Sequence, residues 1–354
     1  SPANKKMPAS SITLTSGGEE KPETIYREEK GRAVKMLKFY PPRGGKKRIM
    51  GVTFSKEEVA KHDKRHDCWV IIEGKVYDVS NFVEHHPGGW LPLVNLAGRD
   101  CTDAFANYHP GSVYEIMLPV YFIGDLQDYF VDPFVKEHRK IRQILLKRGL
   151  YKTDYTFYVK HALWLASLFI CSTVTTIYYQ EYYFIGATLM ALFWQQMAGI
   201  GHDVGHNGIS HNRHIDGPSG ILIGNFFMGI SMAWWKRNHN VHHIVCNSIE
   251  NDPDIQHPPI FAVTSSMFGK YFSTFYQKFI ITDGITRFFV SYQHWLFYPV
   301  MAVARLNLYA QGWILVLSKE KVFYRQWEIF GLLLFQLWLG LLLYTLPTNF
   351  QRLV

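Results

Sequence analysis

Five stretches of this chain run for seventeen to nineteen residues without a charged side chain: 162–179, 182–200, 218–235, 288–304 and 329–346. A helix rises about 1.5 Å per residue, so each of them reaches, or nearly reaches, across a hydrocarbon core of about 30 Å. Lipid offers no hydrogen-bonding partner to an open backbone, and stretches of this length satisfy themselves there as helices. Everything from residue 157 onward is therefore expected to be an all-α integral membrane domain. Lys319, Lys321 and Arg325 stand just before the last run and place that end in the cytosol by the positive-inside rule. No internal repeat is visible.

The first 156 residues have a different texture. Residues 1–51 mix Ser, Thr, Gly, Lys and Glu and are expected to form a flexible basic tail. The formal net charge is +8, and residues 1–50 hold 12 basic against 5 acidic side chains, so the tail carries +7 of it. Basicity confined to a leader argues against a nucleic-acid surface, and no nucleic-acid-binding motif accompanies it. Lys46-Lys47-Arg48 either touches anionic lipid or belongs to a solvated linker. The chain opens on Ser1 with no signal peptide, which reads as a fragment at that end. Its four cysteines include no C-x-x-C pair, as suits a reducing, cytosol-facing setting.

From residue 52 to 127 the pattern is that of a small soluble α+β domain. Residues 68–72 and 76–79 predict two short strands joined at Gly74, with helical segments after them. Residues 128–156 are charged and helical in character and form the linker. Within the small domain, His86-Pro87-Gly88-Gly89 is followed 23 residues later by His109-Pro110. Two histidines separated by a helix pair can approach one iron from opposite faces, and the glycines let backbone come close to a flat macrocycle. Ligation of that kind closes both axial positions, leaving an iron that passes electrons and does not bind oxygen.

His86-Pro87-Gly88-Gly89, Phe105-Ala106-Asn107-Tyr108-His109-Pro110, Trp69 and Tyr77-Asp78-Val79 together closely resemble cytochrome b5. That resemblance implies haem b held by His86 and His109. His85, without the Pro-Gly-Gly context, is expected at the surface, and His62 and His66 on an exposed helix. Glu84, Asp100 and Asp103 form either an acidic rim for a reductase or a merely solvated face.

Two more clusters follow the first pair of apolar runs. His202 and His206 of His202-Asp203-Val204-Gly205-His206 share a helix face, as do His239, His242 and His243 of His239-Asn240-Val241-His242-His243. Five imidazoles beside a membrane are too costly to be packing alone. Imidazole suits iron and zinc alike, so spacing does not choose the metal. A zinc peptidase needs Glu after its first His, whereas Asp203 stands there, and such a site has no use for a second box. A metal pair supplied with electrons by a fused haem module suits the cleavage of an unactivated C–H bond.

His202-Asp203-Val204-Gly205-His206-Asn207, Trp234-Trp235-Lys236-Arg237-Asn238-His239-Asn240-Val241-His242-His243 and Asn251-Asp252-Pro253-Asp254-Ile255-Gln256-His257 resemble the membrane front-end fatty-acyl or sphingolipid desaturases. Gln293-His294-Trp295-Leu296-Phe297-Tyr298-Pro299 and Ala304-Arg305-Leu306-Asn307-Leu308 extend the likeness over most of residues 52–354. The resemblance implies a multidomain chain, a cytochrome b5-like α+β haem domain ahead of a helical membrane desaturase domain. It implies two iron ions on His202, His206, His239, His242 and His243, and insertion of a cis double bond into a lipid acyl chain. It also implies NADH-cytochrome b5 reductase as partner and an endoplasmic-reticulum membrane with the haem domain facing the cytosol. Asp203 and Asn207 would orient ligands; Asp252 and Asp254 would do so or cap a turn. His294 is a candidate further ligand, His138 and His161 are expected to be structural, and His211, His214 and His257 have no assigned role.

The third box of that family, Gln-x-x-His-His, does not occur before Val354. The expectation is therefore a desaturase domain incomplete at its carboxyl end, short of iron ligands and inactive as it stands. For both boxes to meet, 218–235 must dip into the membrane or lie flat, and 288–304 must do the same. A cytochrome b5-fused di-iron hydroxylase and a non-catalytic membrane haem carrier are the competing readings.

Overall fold

The computed structural model describes residues 51–354 in full and, before them, the backbone of strands β1 (Glu23–Glu29) and β2 (Arg32–Phe39). These two strands pair antiparallel inside the stretch expected as flexible tail. Lys46-Lys47-Arg48 lies outside the described residues. The chain divides into two compact units, 1–130 and 131–354.

The first unit is built on a mixed five-stranded sheet. In chain order its elements are β3 (Thr53–Phe54), α1 (Lys56–Val59), β4 (Asp63–Lys64), β5 (Asp67–Ile72), β6 (Lys75–Asp78), α2 (Trp90–Leu96), α3 (Thr102–Tyr108) and β7 (Phe122–Leu126). The sheet order is β3-β7-β6-β5-β4. β5 and β6 are the two strands expected from the sequence, paired from Trp69↔Asp78 to Ile72↔Lys75. Their turn needs positive φ at Glu73 and Gly74, and a Cβ at Gly74 would meet the Tyr129 ring at 2.7 Å. Cys68, Val70, Ile72, Tyr77 and Val83 form a core beneath the helices, while Val59, Trp69, Ile71 and Val76 fill the opposite face. His62 departs from expectation. It is half-buried outside any helix, stacked on Trp69 at 3.6 Å between ring centres and bonded to Asp67 at 2.7 Å. His66 lies exposed in a turn.

The second unit is helical. It comprises α4 (Pro133–Lys147), α5 (Tyr155–Tyr178), α6 (Tyr183–Gly205), α7 (Arg213–Gly220), α8 (Met232–Ile244), a hairpin of β8 (Gly269–Ser273) and β9 (Lys278–Thr282), then α9 (Gly284–Ser291), α10 (Gln293–Leu317), α11 (Arg325–Tyr344) and α12 (Asn349–Leu353). Among the described residues four helices are long and apolar enough to cross a membrane: Tyr155–Tyr178, Gln180–Gly205, Gln293–Leu317 and Arg325–Tyr344.

Hydrogen bonds sort the helix ends onto two faces. Thr153, just before α5, donates to the Ile209 carbonyl just after α6, and Tyr158 donates to Asp203. The α5–α6 turn meets the far end of α11, where Gln180 donates to the Thr345 carbonyl at 2.8 Å. α11 starts on the box-bearing face, since Glu320 just before it pairs with Arg237 of α8 at 3.3 Å. α10 is tied at its start to Ala262, whose N–H donates to Gln293, and at its end to the turn holding Glu320. The run 288–304 is thus divided between α9 and the first half of α10, which continues to Leu317. α10 has the length of a span, yet its start bonds Ala262 and the turn that follows it pairs with Arg237, just before the second box.

Residues 218–235 do not form one crossing helix. α7 passes through a wide π-helical turn at Ile221–Phe227, the helix breaks over residues 229–231, and α8 starts at Met232. A break buried among apolar helices must have its carbonyls satisfied by protein, because lipid cannot. Side chains from three helices do so: Trp338 donates to Phe226, Trp194 to Phe227 and Arg305 to Met228, each at 2.8 Å. Arg305 also lies 4.1 Å over the Trp194 ring. The segment therefore enters and leaves on one face, as the convergence of the two boxes requires.

Candidate metal and haem sites

In the first unit His86 follows a short 3₁₀ turn and His109 caps α3. His86 Nδ1 donates to the Gly89 carbonyl at 2.8 Å and His109 Nδ1 to the Phe105 carbonyl at 3.1 Å. A neutral imidazole that donates from Nδ1 keeps its lone pair at Nε2. The ring centres stand 6.0 Å apart. With metal–nitrogen bonds of about 2 Å and a ring nitrogen about 1.1 Å from its own centre, two imidazoles on one iron are separated by about 6.2 Å. The geometry fits bis-imidazole haem ligation. Gly88 leaves room for the ring, because a Cβ there would sit 2.9 Å from His86 Cε1. Burial drives the His86 pKa down to about 4 and lowers that of His109, so both stay neutral and ready to ligate. His85 is exposed, and Glu84 is held by Arg65 through two bonds of 2.5 and 2.7 Å.

In the second unit the end of α6 and the first turn of α8 meet at Gly205. A Cβ there would stand 2.2 Å from the Trp235 ring, so glycine permits the approach. Trp235 then lies against His239, His206 and His202, with centroids 4.4, 5.4 and 5.5 Å away. One nitrogen from each of His202, His206, His239 and His243 falls within 4.8 Å of the others. His239 Nε2 is 3.1 Å from His202 Nε2 and 3.0 Å from His243 Nε2. Metal–nitrogen bonds of about 2.0–2.1 Å place neighbouring ligand atoms roughly 2.9–3.4 Å apart, so these spacings suit one ion. His206 Nε2 is buried with no hydrogen-bond partner, a vacancy that a metal bond would fill. Burial, reinforced by neighbouring imidazoles, drives His206 down to about 4, and burial lowers His239 and His243. Three of the four imidazoles, His206, His239 and His243, are thus biased toward the neutral form that a metal ion needs.

His242, expected as the fifth member, is not among the four that converge. Its Nδ1 donates to Asp252 at 2.9 Å, and its Nε2 faces Cys246 Sγ at 3.9 Å. Asp252 is fully buried and fills both roles considered for it: it holds His242, and it caps the turn Pro253–Ile255 by accepting from the Asp254 N–H at 2.9 Å. Asp254 accepts from His239 Nδ1 at 3.3 Å, fixing the tautomer whose Nε2 faces the cluster. Asp203 lies 3.6 Å from His202 Nδ1, and Asn207 takes a left-handed φ of 55° beside Lys236. His294, His257, His214 and His138 are exposed, His211 bonds Thr153, and His161 stacks on Phe157; none joins the cluster. Sequence reasoning missed Gly205, Trp235 and Glu328. For Glu328 the signal was present: it is an acidic residue at the mouth of an apolar helix.

Residues 55–127 match the family described as Cytochrome b5-like Heme/Steroid binding domain, and residues 181–351 match Fatty acid desaturase. The chain is 42% identical over 301 residues to the Acyl-lipid (9-3)-desaturase of Borago officinalis, covering 84% of this chain and 67% of that one. It is 41% identical over 299 residues to the Delta(8)-fatty-acid desaturase of Helianthus annuus, covering 84% and 65%. It is 40% identical over 208 residues to a Delta 8-(E)-sphingolipid desaturase of Komagataella phaffii, covering 57% and 38%. The chain spans about two thirds of the length of these two plant relatives.

Proposed function

The chain belongs to the fatty acid desaturases that carry an amino-terminal cytochrome b5 domain, and on that premise we propose that it takes part in front-end desaturation of a lipid acyl chain. The observation that carries this reading is the convergence of four imidazoles where two membrane-domain helices meet, in a chain whose His86 and His109 rings also stand 6.0 Å apart. Haem on His86 and His109 would supply electrons one at a time, its axial positions being closed to oxygen. Iron on the box histidines would supply, with O2, the oxidising power to take two hydrogens from adjacent acyl CH2 groups.

The chain's own residues do the rest by orientation. Asp254 and Asp252 fix His239 and His242 in the tautomer that presents Nε2. His242 would serve a second ion beside the four-imidazole cluster. Among the described residues these histidines account for part of the ligands that two ions need. The lipid-facing helices bring an acyl chain toward the site from the bilayer. NADH-cytochrome b5 reductase would feed the haem from the cytosolic face of the endoplasmic reticulum.

The test joins residues 1–354 to the remaining carboxyl-terminal part of the borage relative, in a yeast host fed unsaturated fatty acids. Gas chromatography of the host lipids should show a new cis double bond on the carboxyl side of an existing one, lost on His202→Ala or His239→Ala. Product persisting in both variants would refute the role of the boxes.

A further inference from the structure

Glu328 is the one acidic residue of α11, and only 2% of it is exposed. A carboxylate in the first turn of a membrane-domain helix needs partners, and all those it has are donors. Asn225 Nδ2 donates to Oε2 at 2.7 Å, Ser231 Oγ to the same oxygen at 2.6 Å, and the Ala233 N–H to Oε1 at 3.1 Å. An ionised carboxylate accepts all three; a protonated one must give up an acceptor site.

The three donors surround the start of α8. A helix begins with N–H groups that have no partner in the helix itself. In α8 each of the first three is answered by a different side chain. Met232 donates to Asn225 Oδ1 at 3.1 Å, Ala233 to Glu328, and Trp234 to Ser231 Oγ at 3.1 Å. The next N–H, that of Trp235, already reaches the Ser231 carbonyl at 3.0 Å. Glu328 is thus the only member of this cap that comes from outside the 213–244 segment. Its negative charge sits at the positive end of the α8 dipole. Close approach of α11 is built in, since a Cβ at Gly331 would stand 2.8 Å from Asn225 Cβ.

The second histidine box lies on the same short helix, with His239 six residues past Ala233, about 9 Å along the axis. A rigid helix fixed at its start sets the height and rotation of the side chains further along. We propose that Glu328 is the positioning residue for the second histidine box: by capping α8 from α11 it sets where His239 and His243 meet His202 and His206. This rests on the reading of those four histidines as a metal site.

The experiment uses the full chain in nanodiscs, native and with Glu328→Gln, and titrates Co(II) while following its absorption. A glutamine cannot accept at both oxygens, so Glu328→Gln should bind Co(II) about tenfold or more weakly with haem content unchanged. Hydrogen exchange should quicken at Ala233 and Trp234, where a general loss of stability would quicken it throughout the unit. The double variant Asn225→Asp with Glu328→Gln returns a carboxylate to the same cluster and should recover most of the affinity. Native affinity in Glu328→Gln would overturn the proposal. If the single variant does not fold, the double variant decides: recovery of Co(II) binding supports it, and failure overturns it. A native chain that binds no Co(II) would instead sink the metal reading, while the exchange measurement still tests the cap.

Discussion

Gly205→Ala is the sharpest single change for the box cluster. The added Cβ would sit 2.2 Å from Trp235 Cζ3 and 2.9 Å from Cε3 and Cη2, and ordinary contact begins at 3.4 Å. Relief therefore demands at least 3.4 − 2.2 = 1.2 Å of separation between α6 and the Trp235 ring. Trp235 has little freedom to yield, because its other neighbours are the rings of His202, His206 and His239. Ligand distances tolerate only about 0.2 Å, so a displacement of this size exceeds the tolerance roughly sixfold and removes at least one nitrogen from the shell. The overpacking itself should cost about 1–3 kcal/mol, which a large helical unit survives. Iron and haem are assayed separately on the purified chain. Gly205→Ala should keep its haem and lose most of its non-haem iron, and Trp235→Leu in the same chain should return part of it by making room. Full non-haem iron in Gly205→Ala would refute the argument that this helix contact sets the cluster.

Three further outcomes follow from the geometry. His86→Ala and His109→Ala should each abolish the low-spin bis-imidazole absorption of the haem; a spectrum retained in both would remove those ligands. In the haem-free first unit the depressed His86 means that the unfolded state binds more protons than the folded state between about pH 6.5 and 4. Stability is then full above that window and falls as pH drops through it, and chemical denaturation across the window should show the loss; a flat profile would contradict the neutral buried His86. Tags at Asn207, Ile244 and Glu320 should all meet protease on one side of sealed microsomes and a tag at Val354 on the other, because Glu320 pairs with Arg237 while Gln351 donates to the Gln180 carbonyl. A Glu320 tag on the opposite side from Ile244 would mean that α10 crosses.

The approach of His86 to His109 was legible because each ring is set by a local turn, bonding a carbonyl three or four residues away. Strands β5 and β6, the first two membrane helices and the pairing of box faces were legible for the same reason, being written in short-range periodicity. What escaped was non-local. A charge marks the edge of an apolar stretch, so the 288–304 run stops short of Arg305, yet the helix runs on to Leu317 since the Arg305 guanidinium bonds the Met228 carbonyl and lies over Trp194. The last uncharged run begins at Ile329 and so leaves out Glu328, whose partners stand 95 to 103 residues earlier. His242 shares a helix face with its neighbours by spacing, and its bond to the buried Asp252 ten residues on is a further partner that spacing does not show.

The ratio of iron to haem in the purified native chain, measured by elemental analysis against the haem absorption, tests the box cluster as a metal site most directly. One or more non-haem iron per haem is predicted, falling to haem iron alone when His202 and His239 are both changed to Ala while the haem absorption stays intact. A native chain whose iron is all accounted for by haem, after expression with ample iron, would contradict the claim that the two histidine boxes form a metal site.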